Sequence, residues 1–130
     1  MAVSYAVGVR NDRLDVITTR AGADAKLRIY SGARPAVGSG PSGVLLAELT
    51  CGSPFAPPAT GGVLTANPIT SDFALVSGEA SWFRLVTSGG ATVLDGDVGT
   101  ANADLILNNT AFIEGGAVAV NSLQITGANA

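Results

Sequence analysis

The chain has 130 residues, a net charge of −3, only 13% charged residues, one cysteine and no histidine. That length suits one domain with a substantial core and is short for two. Without imidazole there is no Ser-His-Asp or Cys-His nucleophile system and no His-containing metal centre. A lone Cys51 supports neither an internal disulfide nor a thiolate zinc site, and the acidic balance argues against nucleic acid as the main partner.

In chain order, VSYAVGV at 3–9 alternates Val3, Tyr5, Val7 and Val9 with small residues, the period of a strand or extended arm. Residues 1–10 are therefore read as an arm and residues 11–130 as a single β domain. NDRLDVITTRAGAD, from residue 11, predicts the one helix. Asn11 or Asp12 would cap it, Leu14, Ile17 and Ala21 fall on one face, and Gly22 suits its end. KLRIY at 26–30 alternates with Leu27 and Ile29 inward. SGARPAVGSGPSG at 31–43 reads as a long surface loop carrying Arg34.

VLLAELT at 44–50 is the next strand. CGSPFAPPATGG at 51–62 cannot be regular, because Pro54, Pro57 and Pro58 lack the donor and fix φ. Phe55 in that segment is either folded over the core or offered to a partner. Strands follow at VLTA (63–66), DFALV (72–76), ASWFRLVT (80–87), ATVLD (91–95), ADLILN (103–108) and AVAVNSLQIT (117–126), with Ser88-Gly89-Gly90 as a hairpin turn. In the last strand Val118 and Val120 take one parity and Leu123 and Ile125 the other, so a bulge or a passage between sheets is expected at Asn121-Ser122. Many short strands with turns between them predict an all-β fold, an antiparallel β-sandwich or jelly-roll-like barrel with one short N-terminal helix. Leu27, Ile29, Leu46, Phe83, Leu85, Leu105 and Ile125 are its expected core.

Asp95-Gly96-Asp97-Val98-Gly99 is the one stretch that invites a cation. An EF-type loop starting at Asp95 would need Gly at its sixth position and Glu at its twelfth, where this chain has Thr100 and Ile106. The expected role is a turn, with Asp95 ending a strand and Gly96 supplying a positive φ. Trp82 and Arg84 share one strand face, either as an exposed cation–π pair or with the Trp in the core. No carboxylate pair is singled out for catalysis, and no cofactor or metal is expected. Cys51 reads as a small buried hydrophobe.

Charge is uneven. Residues 1–34 hold six cations against three carboxylates, a balance of +3, and the remainder holds Arg84 against seven carboxylates, a balance of −6. The basic third could dock on an acidic neighbour or pair with its own acidic body. The first residues lack the cationic start and apolar run of a secretory signal, and no run reaches the ~18 apolar residues of a membrane helix, so no membrane partner is expected.

LRIYSGARP at 27–35, LLAELTC at 45–51 followed by PFAPPATGGVLTAN at 54–67, and ASWFRLVTSGGATVLDGDVG at 80–99 resemble the capsid decoration, or cement, proteins of tailed bacteriophages. The resemblance spans most of the chain from the helix onward and rests on turns and core strands. It implies a jelly-roll-like, non-enzymatic virion protein, made in the bacterial host cytoplasm and attached to the capsid exterior. There a homo-oligomer, dimer or trimer, clamps neighbouring subunits of the major capsid protein. The contacts expected on this reading are Val3, Tyr5, Val7 and Val9 of the arm, Arg34 and Phe55. The alternative is a carbohydrate- or receptor-binding β-module of a phage tail, which would expose aromatic side chains.

Overall fold

The computed structural model describes residues 5–41 and 43–126. Its one helix among these residues, α1, spans Val7–Ala21. It starts four residues earlier than expected, so residues 7–10 are helical and the arm reading of Val7 and Val9 is overturned. Val3 lies outside the described residues. Alternating valines with Ala6 and Gly8 fit a strand only over a short window, and the tertiary anchors of α1 decide otherwise. Asn11 does not cap. Its Oδ1 accepts the Gly62 N–H at 2.8 Å, and Asp15 Oδ1 accepts the Ala59 N–H at 2.7 Å. Ala6 stands at the N-cap with no side-chain bond, and Gly22 closes the helix at φ 67°, its N–H bonded to Thr18 O at 3.2 Å. Leu14 and Ala21 are buried and Ile17 packs against the core, the face read from the sequence.

Eleven strands follow: β1 Lys26–Tyr30, β2 Leu45–Thr50, β3 Val63–Thr65, β4 Asp72–Phe73, β5 Gly78–Glu79, β6 Trp82–Val86, β7 Thr92–Gly99, β8 Leu105–Leu107, β9 Ala111–Phe112, β10 Ala117–Val118 and β11 Val120–Thr126. Seven of them form one sheet in the order β2-β1-β6-β7-β8-β11-β3. The pairs β10-β4 and β5-β9 form two small sheets. The chain is thus mostly β, built on a large mixed sheet with one short helix.

The sheet is mixed rather than purely antiparallel because β7 and β8 run parallel, Val98 opposite Leu105 and Gly99 opposite Ile106. Parallel neighbours normally need a crossover of a dozen residues. Here residues 100–104 suffice because only two residues pair, and Asn102 takes φ 55° in the tight connection. The expected irregularity near Asn121-Ser122 is present: β10 pairs in a small sheet, β11 in the large one, and the β11–β8 register shifts between Val120 and Ser122. Gly90 at φ 93° turns the hairpin between β6 and β7.

The core lies on one face of the large sheet, where Leu27, Ile29, Ala47, Leu49, Phe83 and Leu85 are each fully buried, joined by Leu64, Leu105 and Leu123. Ile125, expected in the core, lies on the same face as Leu123 and opposite buried Leu64, but near the end of β11 it is only half-buried and packs against the edge of the core. Phe55 is 1% exposed and belongs to the core, so it cannot be an interface side chain. The segment 51–62 folds back over the sheet, with Phe55, Ala56 and Ala59 inward. Helix α1 lies against β3 and β7.

Both outer strands of the sheet are covered by the chain itself. Thr70 N–H bonds Thr50 O at 3.1 Å and Leu75 N–H bonds Leu46 O at 2.7 Å along β2, while Val63 of β3 exchanges two 3.0 Å bonds with Thr60. Part of each outer row is thus occupied by the chain's own segments.

Candidate functional site

The opposite face of the sheet buries polar groups. Arg84 sits between neighbouring strands with its guanidinium on Asp95, Nε to Oδ1 at 2.7 Å and Nη2 to Oδ2 at 3.0 Å. The two side chains are only 6% and 4% exposed. The guanidinium lies 5.2 Å from the centre of the Trp82 ring, which stacks on Tyr30 at 4.4 Å and 13°. Trp82 is fully buried, as its core reading had it, and the cation–π pair is buried with it. The hydrogen bond to Asp95 outweighs the cost of burial and raises the Arg84 pKa above its ordinary value.

Asp95-Gly96-Asp97-Val98-Gly99 is therefore strand, not turn: β7 runs through it. Gly96 has an extended backbone and is required for a different reason. A Cβ there would stand 2.5 Å from Phe83 Cε1, so only glycine lets the Phe83 ring cross β7. Both Asp95 oxygens accept from the Arg84 guanidinium, and the side chain is only 4% exposed. Asp104 Oδ2 accepts the Asp97 N–H at 3.2 Å, and Asp97 pairs with Arg34 at 3.3 Å. Among the described residues no three His, Cys, Asp or Glu side chains stand together as a metal-binding group.

Ser31, Gly32 and Arg34, at the start of the loop, are fastened over this face. Trp82 Nε1–H donates to Ser31 O at 3.3 Å, Ser81 Oγ–H donates to Gly32 O, and Arg34 reaches Asp97. Ser31 and Val44 close the base of the loop with bonds of 3.0 and 3.1 Å. Gly43 passes so close that a Cβ would overlap Ser31 O at 1.6 Å. Arg28 pairs with Glu48 at 2.8 Å, a bond that raises the arginine's pKa, and Lys26 Nζ donates to Thr50 Oγ1 at 2.8 Å. Two of the six cations of the N-terminal third, Arg28 and Arg34, are thus matched to the acidic body within the molecule. Cys51 is buried and burial pushes its thiol pKa from 9.0 up to about 11, partly countered by Lys26.

The surface offers apolar groups instead. Val7 and Val9 are 48% and 45% exposed at the start of α1, with Tyr5 half-buried and the Arg13 guanidinium 4.7 Å from its ring centre. Phe73 and Leu75 flank buried Ala74 and are 63% and 55% exposed. Phe73 stands opposite exposed Ala117 of β10, and Ala74 is clasped by bonds to Gly115 and Gly116. Ile113, 74% exposed, is joined through its carbonyl to the Gly116 N–H at 2.7 Å. A shallow apolar cleft of about 190 Å³ runs between Ile113, Ala117 and Phe112.

Of the residues expected to make contacts, Tyr5, Val7 and Val9 share one helix end, Arg34 is on the fastened loop, and Phe55 is in the core. They do not form one surface. The Phe73–Leu75–Ile113 patch was missed. DFALV reads as an alternating strand whose bulky residues face inward, and only the bonds on either side of Ala74 invert it.

No protein-family model matches this chain, and no curated protein or solved structure matches it either.

Proposed function

We propose that this chain is a structural virion protein of the capsid-decoration type, which binds the outside of a phage capsid lattice and clamps neighbouring major capsid subunits. The finer fold belonging to this reading is a β-sandwich of jelly-roll-like form, working as a homo-oligomer on the capsid exterior and carrying no catalysis. The observation that supports it is the spread of exposed apolar side chains over separate places. Val9 and Val16 lie on α1, Val37 in the fastened loop and Val44 at its end, Phe73 on β4, and Leu75 and Ile113 just after β4 and β9. A clamp needs more than one foothold, and a surface poor in charge loses little on desolvation.

A protein that binds only the assembled lattice stabilises it by mass action, and many symmetry-related copies add avidity without any single strong contact. The tail-module alternative asks for an exposed aromatic platform, whereas Trp82 and Tyr30 are buried. Co-sedimentation with purified capsids tests the proposal. Saturable binding that raises the temperature of capsid disruption is expected. Absence of binding, or glycan-array binding without capsid binding, overturns it.

A further inference from the structure

Two outward apolar surfaces of this molecule carry opposite charge. On α1, Val9 and Val16 are exposed and seven residues apart, with Arg13 and Arg20 four residues after each, so all four share one helix stripe. The stripe faces away from the sheet, because Leu14 and Ala21 hold the other face down. Arg13 and Arg20 are exposed and make no ion pair with any described residue, whereas Arg28, Arg34 and Arg84 each have a carboxylate.

The second surface is Phe73, Leu75 and Ile113. Exposed Asp72 precedes Phe73, exposed Glu114 follows Ile113, and exposed Glu79 pairs across to Ala111. The only basic residue after Arg34 is Arg84, which is buried. The patch therefore has acidic groups, and its own part of the chain, residues 35–126, brings no exposed cation to it. Each surface is exposed in the same molecule, so neither covers the other, and what one lacks the other holds.

We propose that copies of this chain associate head to tail, with the Val9–Arg13–Val16–Arg20 stripe of one copy seated on the Phe73–Leu75–Ile113 patch of the next. Two different surfaces make the contact heterologous, so the product is a ring if the rotation closes and a filament if it does not. The inference does not rest on the capsid reading; where copies join this way, Val9, Val16, Phe73, Leu75 and Ile113 lie between copies, and Val37 and Val44 are the apolar footholds left to face a lattice.

Sedimentation of the purified chain at increasing concentration tests it without any capsid. The parent is expected to self-associate. Arg13→Glu/Arg20→Glu weakens association about tenfold or more, as does Asp72→Lys/Glu114→Lys, and the chain carrying all four substitutions recovers it. Val16→Ser and Leu75→Ser, at exposed positions, read the same contact through its apolar part and should each weaken it. A parent that stays monomeric, or a four-substitution chain that associates no better than the two-substitution chains, overturns the proposal. The second result would point to a contact between like surfaces.

Discussion

Replacing Asp95 by Ala isolates the largest electrostatic commitment in the fold. The carboxylate makes both bonds to Arg84, and both side chains are almost completely shielded from water. Removing it leaves a guanidinium buried without its counter-charge over the Trp82 ring. Breaking a buried pair in this way costs about 3–5 kcal/mol, a large part of the ~5–15 kcal/mol that holds a domain together. Trp82 is the only tryptophan and sits in the cluster itself, so its fluorescence during urea unfolding is a direct reporter. With a urea dependence of about 1.5 kcal/mol per molar, the midpoint should fall by roughly 2–3 M. Arg84→Met/Asp95→Leu removes both charges together and should lie close to the parent. Asp97→Asn, on a carboxylate 66% exposed, should cost between about 0 and 1 kcal/mol. The reasoning fails if Asp95→Ala unfolds within about 1 kcal/mol of the parent, since the pair would then be unimportant despite its burial.

Gly96→Ala should cost about 1–3 kcal/mol by pressing on Phe83, and an unchanged urea midpoint would show that the ring moves aside freely. Leu85→Ala and Leu123→Ala should each cost about 2–5 kcal/mol, and Ile125→Ala clearly less, in the same unfolding assay. Cys51 links stability to alkaline pH. Its thiol ionises near 9.0 when unfolded and about 11 when folded, so the unfolded chain loses its proton first. Its contribution is complete below pH 9 and is lost by pH 11, a fall of about 2–3 kcal/mol that Cys51→Ala should flatten. Unfolding temperature should be indifferent to EDTA, because both Asp95 oxygens already face a guanidinium; a fall of many degrees on chelation contradicts that.

Strand positions were legible for KLRIY, LLAELT and SWFRLV, though alternation misled in VSYAVGV, where Val7–Val9 are helical, and in DFALV, which is strand only at Asp72–Phe73. KLRIY gave its inward face correctly; in LLAELT Leu46 is buried as expected, but Ala47 and Leu49 take the face shared with Leu27 and Ile29; the parity change in AVAVNSLQIT located a real shift between sheets. What alternation could not show was the conformation of short stretches of small residues. Val7-Gly8-Val9 became helix, in an element anchored through Asn11 and Asp15 to Gly62 and Ala59, 51 and 44 residues away in sequence. Asp95-Gly96-Asp97 has the composition of a turn, yet its glycine answers a ring on the neighbouring strand and its first aspartate a buried arginine. Those partners appear only once β6 and β7 are aligned. The exposed patch was hidden for a related reason: Phe73 and Leu75 follow the right period, but the chain turns their face outward.

The Phe83–Gly96 crossing also limits how β6 and β7 can be aligned. An antiparallel strand pair can slip by two residues without turning any side chain to the wrong face. The spacing of Asp95 and Asp97 invites such a slip, because Arg84 would again meet a carboxylate. In the native register Phe83 stands opposite Gly96; after the slip it would stand opposite Val98 and lose the gap its ring needs. The charges alone admit two alignments, and the glycine leaves one. Apolar shape on one face of the sheet thus resolves an ambiguity that the ionic face creates, before any partner touches the molecule.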